Sequence, residues 1–323
     1  MLFRIIVPLL LIALTQSPDV SAQKGSKVYR IGFVSLLPPP TQPPDPFVAA
    51  FTARLAERGY VEGKNVTLEP RWADADYQRV PGLLAELERS GVDAIYVIGS
   101  RLAKISQSLV KKTPLVVYSC DAFDHVSSLA RSGGNVTGAT CMTSELTGKR
   151  LEVLREAVPT ASRIVFLSEP EDSPSGLKRA HDAAPRLGIK LTPIGFTSRG
   201  DLPRALEVVA KERPDALFVY PDPISFMEGQ RIAEFALKYR LPTMYAFREF
   251  VDVGGLMSYG ANNGDMARLL ADQVARILDG KAPSDVPMLQ ATRFELVINL
   301  KTAKALGLTI PPSVLSRADH VIE

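Results

Sequence analysis

The segment Pro242–Gly260, PTMYAFREFVDVGGLMSYG, decides how the chain is read. It predicts a short apolar strand, a polar turn carrying Arg248 and Glu249, a break at Gly254-Gly255, and a second strand ending in Tyr259-Gly260. An α/β protein presents charged and aromatic side chains in this way to a crevice, because ligands of open parallel sheets gather outside the carboxyl ends of the strands.

Upstream, Val28–Ser35 is a β-branched and aromatic run that suits a buried parallel strand. A proline-rich link, with Pro38-Pro39-Pro40 and Pro43-Pro44, leads to a helix over Pro46–Gly59, where Phe47, Phe51 and Leu55 recur every four residues. Further strands are expected at Asn65–Arg71, Val92–Ile98 and Pro114–Ser119, and after the Gly134–Gly138 turn. Helices are expected over Asp76–Ser90 and Leu102–Val110. The alternation then repeats. Helix Ser144–Ala157, with Ser144 as its N-cap, precedes strand Arg163–Ser168, helix Ser175–Leu187 and strand Lys190–Phe196. Helix Asp201–Glu212, capped by Asp201, strand Ala216–Tyr220 and helix Ile224–Tyr239 follow. Beyond Gly260 come helix Asp265–Leu278, strand Phe294–Ile298 and helix Lys301–Leu306. Two such arrays of about five strands each predict an α/β protein of two Rossmann-like lobes, with parallel sheets and an interlobe cleft.

A length of 323 residues fits two lobes better than one domain. Hydrophobic content of 46% and charged content of 23% are those of a soluble globular protein. The net charge is only +3 and the Lys and Arg residues are scattered, which argues against a nucleic-acid surface. Met1–Ala22 carries Arg4, an apolar run from Ile5 to Leu14, and Val20-Ser21-Ala22 before a cleavage point, the pattern of a secretory signal peptide. The run is too short for the roughly 20 residues that cross a bilayer. No cysteine follows it, so the mature chain is expected to be periplasmic without a lipid anchor. In that compartment Cys120 and Cys141, at the ends of neighbouring strands, leave a disulfide open. Two cysteines and three dispersed histidines, His125, His181 and His320, point to no metal.

Enzyme motifs are missing. Ser35-Leu36-Leu37-Pro38 stands where a glycine-rich phosphate loop would follow the first strand, and proline cannot donate the amides a pyrophosphate needs. There is no P-loop and no G-x-S-x-G elbow. No enzyme activity and no cofactor are expected.

What remains are polar groups at predicted strand ends. In the first array these are Ser35, Ser100 and Arg101 after Gly99, and Asp121; in the second, Tyr220, Asp222, Arg248 and Tyr259, with Glu169 beside them. Ser100 opens a helix, so it either caps that helix or helps to hold an anion there. Arg101 either forks onto a carboxylate or lies on a solvated face. Asp222, between Pro221 and Pro223, pairs with a ligand amine or caps the next helix. Arg248 and Glu249 either meet a ligand or pair with each other, and the two tyrosines form an aromatic wall or ordinary core.

The chain also carries motifs of a known family. They are Tyr29-Arg30-Ile31-Gly32-Phe33, Gly59-Tyr60-Val61-Glu62-Gly63, Arg71-Trp72-Ala73, Ser128–Arg131 with Gly133–Gly138, Leu146-Thr147-Gly148-Lys149-Arg150-Leu151, the Pro242–Gly260 segment, and Phe294–Lys304. Together they resemble the ABC transporter substrate-binding proteins of the tryptophan/tyrosine-type uptake family, over nearly all of residues 28–323. The resemblance implies a type I periplasmic-binding fold, a monomer that holds a small-molecule ligand in its cleft and delivers it to an ABC permease and ATPase complex in the inner membrane. It implies crossings near Cys141–Thr143, Tyr259-Gly260 and Pro283–Arg293. The first lobe would then take 28–142 plus 260–285, and the second 143–259 plus 286–323. Two departures bear on the ligand. The segment Ser119–His125 is shortened relative to the family, so the family's amino-acid preference does not carry over directly. Arg101 stands where small residues are common, which favours an anionic ligand such as an aromatic or aliphatic carboxylate; the solute class expected is an amino acid or an aromatic or other carboxylate. Lobe-surface charges, Glu57, Arg58, Arg150 and Arg155 among them, are candidates to meet the permease. A sensor that passes the same capture to a membrane kinase, and an exported two-lobed hydrolase, stay open as alternatives.

Overall fold

The computed structural model describes residues 27–39, 46–124 and 126–323. The expected signal peptide and His125 lie outside them. In chain order the first array runs β1 (Tyr29–Ser35), α1 (Pro46–Glu57), β2 (Val66–Trp72), α2 (Val80–Ser90), β3 (Ala94–Ile98), α3 (Ser100–Leu109), β4 (Leu115–Ser119) and β5 (Val136–Thr140). The second runs α4 (Thr147–Ala157), β6 (Arg163–Ser168), α5 (Pro174–Ala183), β7 (Lys190–Gly195), α6 (Leu202–Glu212), β8 (Ala216–Val219), α7 (Pro223–Met227), α8 (Gly229–Lys238), β9 (Thr243–Tyr245), α9 (Arg248–Asp252) and β10 (Met257–Ala261). The chain closes with α10 (Asn263–Leu278), β11 (Leu289–Gln290), β12 (Phe294–Asn299), α11 (Leu300–Leu306), α12 (Pro312–Leu315) and β13 (His320–Ile322).

Among the described residues the strands form a six-stranded sheet, β11-β5-β4-β3-β1-β2, and a seven-stranded sheet, β13-β12-β10-β9-β8-β6-β7. All pairings are parallel except one: β12 runs antiparallel to β10, with Tyr259 opposite Leu296. The inner strands of both sheets are buried on both faces, which is why β4 and β8 read as apolar runs.

The chain passes between the sheets three times: after β5, after β10 and after β11. α10 returns to the first sheet and packs along α1. There Arg54 forks onto Asp272, Nε to Oδ1 at 3.0 Å and Nη2 to Oδ2 at 3.1 Å. Buried Gln273 of α10 donates to the carbonyls of Gly138 (3.1 Å) and Pro287 (2.6 Å). β11 then pairs with β5, so the first sheet holds the chain through Gln290.

Several local expectations are corrected. Ser144 does not cap α4, whose N-cap position is Leu146; its hydroxyl bonds to Glu145 instead. Asp201 flanks α6 without a capping bond, and its carboxylate accepts from Thr197. The helix expected over Ile224–Tyr239 is two helices that break at Glu228. At the break, Gly229 lies so close to Phe250 that a Cβ would stand 3.2 Å from its ring. The polar turn with Arg248 and Glu249 is a short helix, α9.

Candidate functional site

The carboxyl ends of the two sheets face each other, and the loops that leave them meet across the lobes. In the first lobe, β3 ends at Ile98, and Gly99, with a φ of 114°, turns the chain into α3. That helix lacks a side-chain cap of its own. The vacancy is filled from the other lobe: the Asp172 carboxylate, in the loop after β6, accepts from the Arg101 amide at 2.8 Å. A carboxylate is favoured there because the first amides of a helix have no intrahelical acceptor and carry its positive dipole end. The second oxygen of Asp172 accepts from the Tyr77 hydroxyl at 2.8 Å.

The Arg101 guanidinium lies 3.8 Å from the Tyr77 ring centroid. It pairs with Glu169 at 3.4 Å and with Glu171 at 2.8 Å. It is therefore an interlobe bridge, already matched by carboxylates. Ser100 turns toward β4, where its hydroxyl accepts from Ser119 Oγ at 3.1 Å and from the Asp121 amide at 3.2 Å. Asp121 reaches the second lobe, accepting from the Tyr220 hydroxyl at 2.7 Å. Both residues are essentially buried, and Gly176 makes room for the tyrosine: a Cβ there would lie 2.1 Å from Tyr220 Cε2.

Asp222 caps α7, accepting from the Ser225 amide at 2.9 Å and from the Ser225 hydroxyl. Burial pushes its carboxyl up to about 7, with the nearby Asp172 and Glu169 adding to the rise. Glu169 is likewise raised to about 7, by burial first and by Asp172 second, against the opposing pull of Arg101. Burial raises Asp172 too. Three carboxyls thus crowd one side of the interface.

The other sequence-derived candidates are dispersed. Ser35 ends β1, nearly buried, and its hydroxyl accepts from the Leu37 amide at 3.0 Å. Arg248 pairs with Asp252 at 3.3 Å and not with Glu249. Tyr259 packs in the second lobe with its ring 6.4 Å from Phe294.

Asp172 escaped the sequence reading, and Glu249 and Arg150 take places other than those expected of them. Asp172 sits in a loop with no regular period to mark it. Glu249, freed from Arg248, turns to the second crossing: one oxygen accepts from Asn263 at 3.0 Å, and the other is buried without a partner among the described residues. Asn263 in turn accepts from the Tyr118 hydroxyl at 2.7 Å, so the pair links the lobes. Arg150, expected on the surface, is instead fully buried. It donates to the Thr143 carbonyl and to Thr147 Oγ1 and lies 5.4 Å from the Phe218 ring. The signal was its i+3 spacing from Thr147 on one helix face.

Around these polar groups one apolar cluster runs through both lobes. It joins Phe51, Tyr96 and Tyr118 of the first to Ile224, Tyr245, Phe247 and Phe250 of the second, with Phe33, Phe47 and Phe226 packed against it. Among the described residues no group of three or more His, Cys, Asp or Glu is placed to hold a metal.

Two open, mostly parallel sheets joined by three crossings, with buried polar strand ends in contact between them, define a bilobal solute-binding protein. The model of the ABC transporter substrate binding protein family matches residues 45–322, and the chain belongs to that family. It is 23% identical over 289 residues to the tyrosine-binding protein of Clostridioides difficile strain R20291, covering 88% of this chain and 82% of the relative. Among solved structures it resembles an ABC domain from Streptococcus pneumoniae in complex with L-Trp, at a TM-score of 0.83 and 23% identity, covering 92% of this chain and all of the other. A conserved domain protein from Vibrio cholerae gives 0.82 at 23% identity, with 91% and 100% covered. The ligand-free, open structure of a substrate binding protein from Clostridium difficile gives 0.64 at 22% identity, with 91% and 99% covered.

Proposed function

We propose that the protein captures an amino acid, or a closely related aromatic or aliphatic carboxylate, between its lobes and hands it to an ABC permease and ATPase complex in the inner membrane. The observation that carries this reading is the contact of buried polar strand ends across the lobes, Asp172 on the Arg101 amide and Tyr220 on Asp121. An α-carboxylate suits the amide end of α3 once Asp172 withdraws. An ammonium suits the unpartnered oxygen of Glu249. The apolar cluster supplies the wall for a side chain between them. The tyrosine-binding and L-Trp-bound relatives support an amino acid as the cargo. The closer match to the L-Trp complex than to the open structure supports reading this as the closed form.

On this reading the protein works in the periplasm as a monomer, after removal of residues 1–22, with no cofactor and no chemistry of its own. Closure follows only from the ligand's stronger binding to the closed form. The candidate contacts are Ser100, Arg101, Asp121, Tyr220 and Asp222, joined by Asp172 and Glu249, while Ser35, Arg248 and Tyr259 lie apart from them.

A thermal-shift series tests it, using protein that has been unfolded, dialysed and refolded. At 100 times its dissociation constant a ligand adds about 2.7 kcal/mol. That raises the melting temperature by roughly 5 °C or more for domains of this size. A saturable rise with one amino acid class, and intact compound recovered afterwards, is expected. No rise across the twenty amino acids and common aromatic acids, or consumption of the compound, would overturn the reading.

A further inference from the structure

Cys120 and Cys141 stand where the chain first leaves the first sheet. β4 and β5 pair in parallel up to Ser119 opposite Thr140, so each cysteine is the next residue on its strand. Neighbouring strands lie about 4.8 Å apart, which falls within the roughly 4.4–6.8 Å between Cα atoms that a disulfide spans. The two side chains turn to the same side, with their sulfurs 2.7 Å apart. The crossing is held to the end of β4 by the Thr143 amide, which donates to the Cys120 carbonyl at 3.2 Å. Met142, between Cys141 and Thr143, takes a left-handed φ of 59°, a conformation that a non-glycine residue keeps only where its surroundings hold it.

Other uses of these thiols fit less well. Among the described residues no group of three or more His, Cys, Asp or Glu, these cysteines included, is placed to hold a metal. The adjacent Cys141 sulfur and burial together hold the Cys120 thiol well above its ordinary range, unlike the depressed thiols of nucleophilic sites. Cys141 is buried and Cys120 half-buried, so an exchange partner reaches Cys120 first.

We propose that Cys120 and Cys141 form an intramolecular disulfide that fastens the first crossing to the strand end bearing Asp121. The oxidant is a disulfide, RS–SR. Cys120 gives up its proton to solvent base as it attacks one of the RS–SR sulfurs, expelling a first thiolate RS⁻; Cys141, deprotonated in turn, attacks Cys120 Sγ in the mixed disulfide and expels the second, and the two RS⁻ take up the two protons. Two protein thiols lose two protons and two electrons, and RS–SR becomes two RSH. The bond ties residue 120 to residue 141, and so links the first interlobe crossing to the residue that precedes Asp121. Its formation in the cell rests on the periplasmic placement proposed above, whereas its geometry does not.

The test uses the full protein, reduced with dithiothreitol, freed of it, and exposed to oxidised glutathione. It is then denatured in iodoacetamide without reductant and its intact mass measured. The expected product is about 2 Da lighter than the reduced, unalkylated chain, takes up no carbamidomethyl group, and gives a crosslinked Cys120–Cys141 peptide pair on digestion. Cys141→Ser is expected to abolish the crosslink and leave one glutathione on Cys120. Two carbamidomethyl groups on the oxidised chain, stable glutathione on both cysteines, or a disulfide-linked dimer would overturn the proposal. The ligand reading stands or falls separately, on the thermal-shift series.

Discussion

The hydroxyl of Tyr220 donates to Asp121 Oδ1 at 2.7 Å, joining the end of β8 in one lobe to the end of β4 in the other. The bond has one partner in each lobe, so a separation of the two strand ends breaks it. Tyr220→Phe keeps the ring against Phe166 and removes only the donor. A hydrogen bond to a charged group is worth about 1.5–3 kcal/mol, enough to move a closed-to-open ratio by roughly tenfold or more. The ligand-free variant is expected to show a larger radius of gyration in small-angle scattering than the parent. An unchanged radius would show that the bond does not hold the lobes.

Gly176 is the position that admits the Tyr220 ring. With a Cβ 2.1 Å from Cε2, Gly176→Ala forces the ring to move and costs the fold about 1–3 kcal/mol. The expected readout is a lower urea midpoint with an unchanged slope.

The raised carboxyls give a signed pH dependence. Asp222 and Glu169 titrate near 7 in the folded protein, against about 4 in the unfolded chain. Between those values the folded state holds protons that the unfolded chain has released. Their contribution to stability is therefore full below pH about 4 and is lost as pH rises through about 7, with a slope of up to ~1.4 kcal/mol per pH unit for each group. Melting temperature is expected to fall from pH 5 to pH 8, and Asp222→Asn to flatten that fall. A melting temperature that rises over this range would contradict the assignment.

Glu249 offers a buried carboxylate oxygen with no donor among the described residues. Glu249→Gln keeps the shape and the acceptor for Asn263 while removing the charge. Folding stability is expected to change by less than about 1 kcal/mol, while affinity for an amine-bearing solute falls at least tenfold by titration calorimetry. Equal affinity in the two proteins would place the ammonium elsewhere.

Arg101 bridges the lobes through Glu169, Glu171 and the face of Tyr77. Arg101→Lys retains charge but loses the flat fork and its stacking. It is expected to open the ligand-free protein, seen as faster amide exchange over α3 and the 169–173 loop.

The sequence made the two-array plan legible because buried parallel strands and amphipathic helices have distinct periods. Phe47, Phe51 and Leu55 on α1, and the apolar runs of β4 and β8, announce themselves. Direction did not: β12 reads like any strand, and its antiparallel course follows from the return of the chain after β11. Long-range pairing was equally hidden. Glu249 looked bound to Arg248 by adjacency, yet α9 places Arg248 beside Asp252 four residues on and frees Glu249 for Asn263. Arg150 looked like a surface charge because nothing local shows that Phe218 and Tyr220 cover it. Strand-end chemistry could be located from sequence, but its partners across the lobes could not.

The Asp172 carboxylate on the α3 amide has one more consequence. If cargo docks as proposed, the protein carries a built-in rival for it, tethered and so present at a constant local concentration whatever the medium contains. Any solute that docks a carboxylate on that amide must outcompete this rival, so its measured affinity is weaker than its contacts alone would give. Such an arrangement sets a threshold: traces of a poorly fitting acid leave the tether in place, and only a solute that also satisfies the rest of the pocket displaces it.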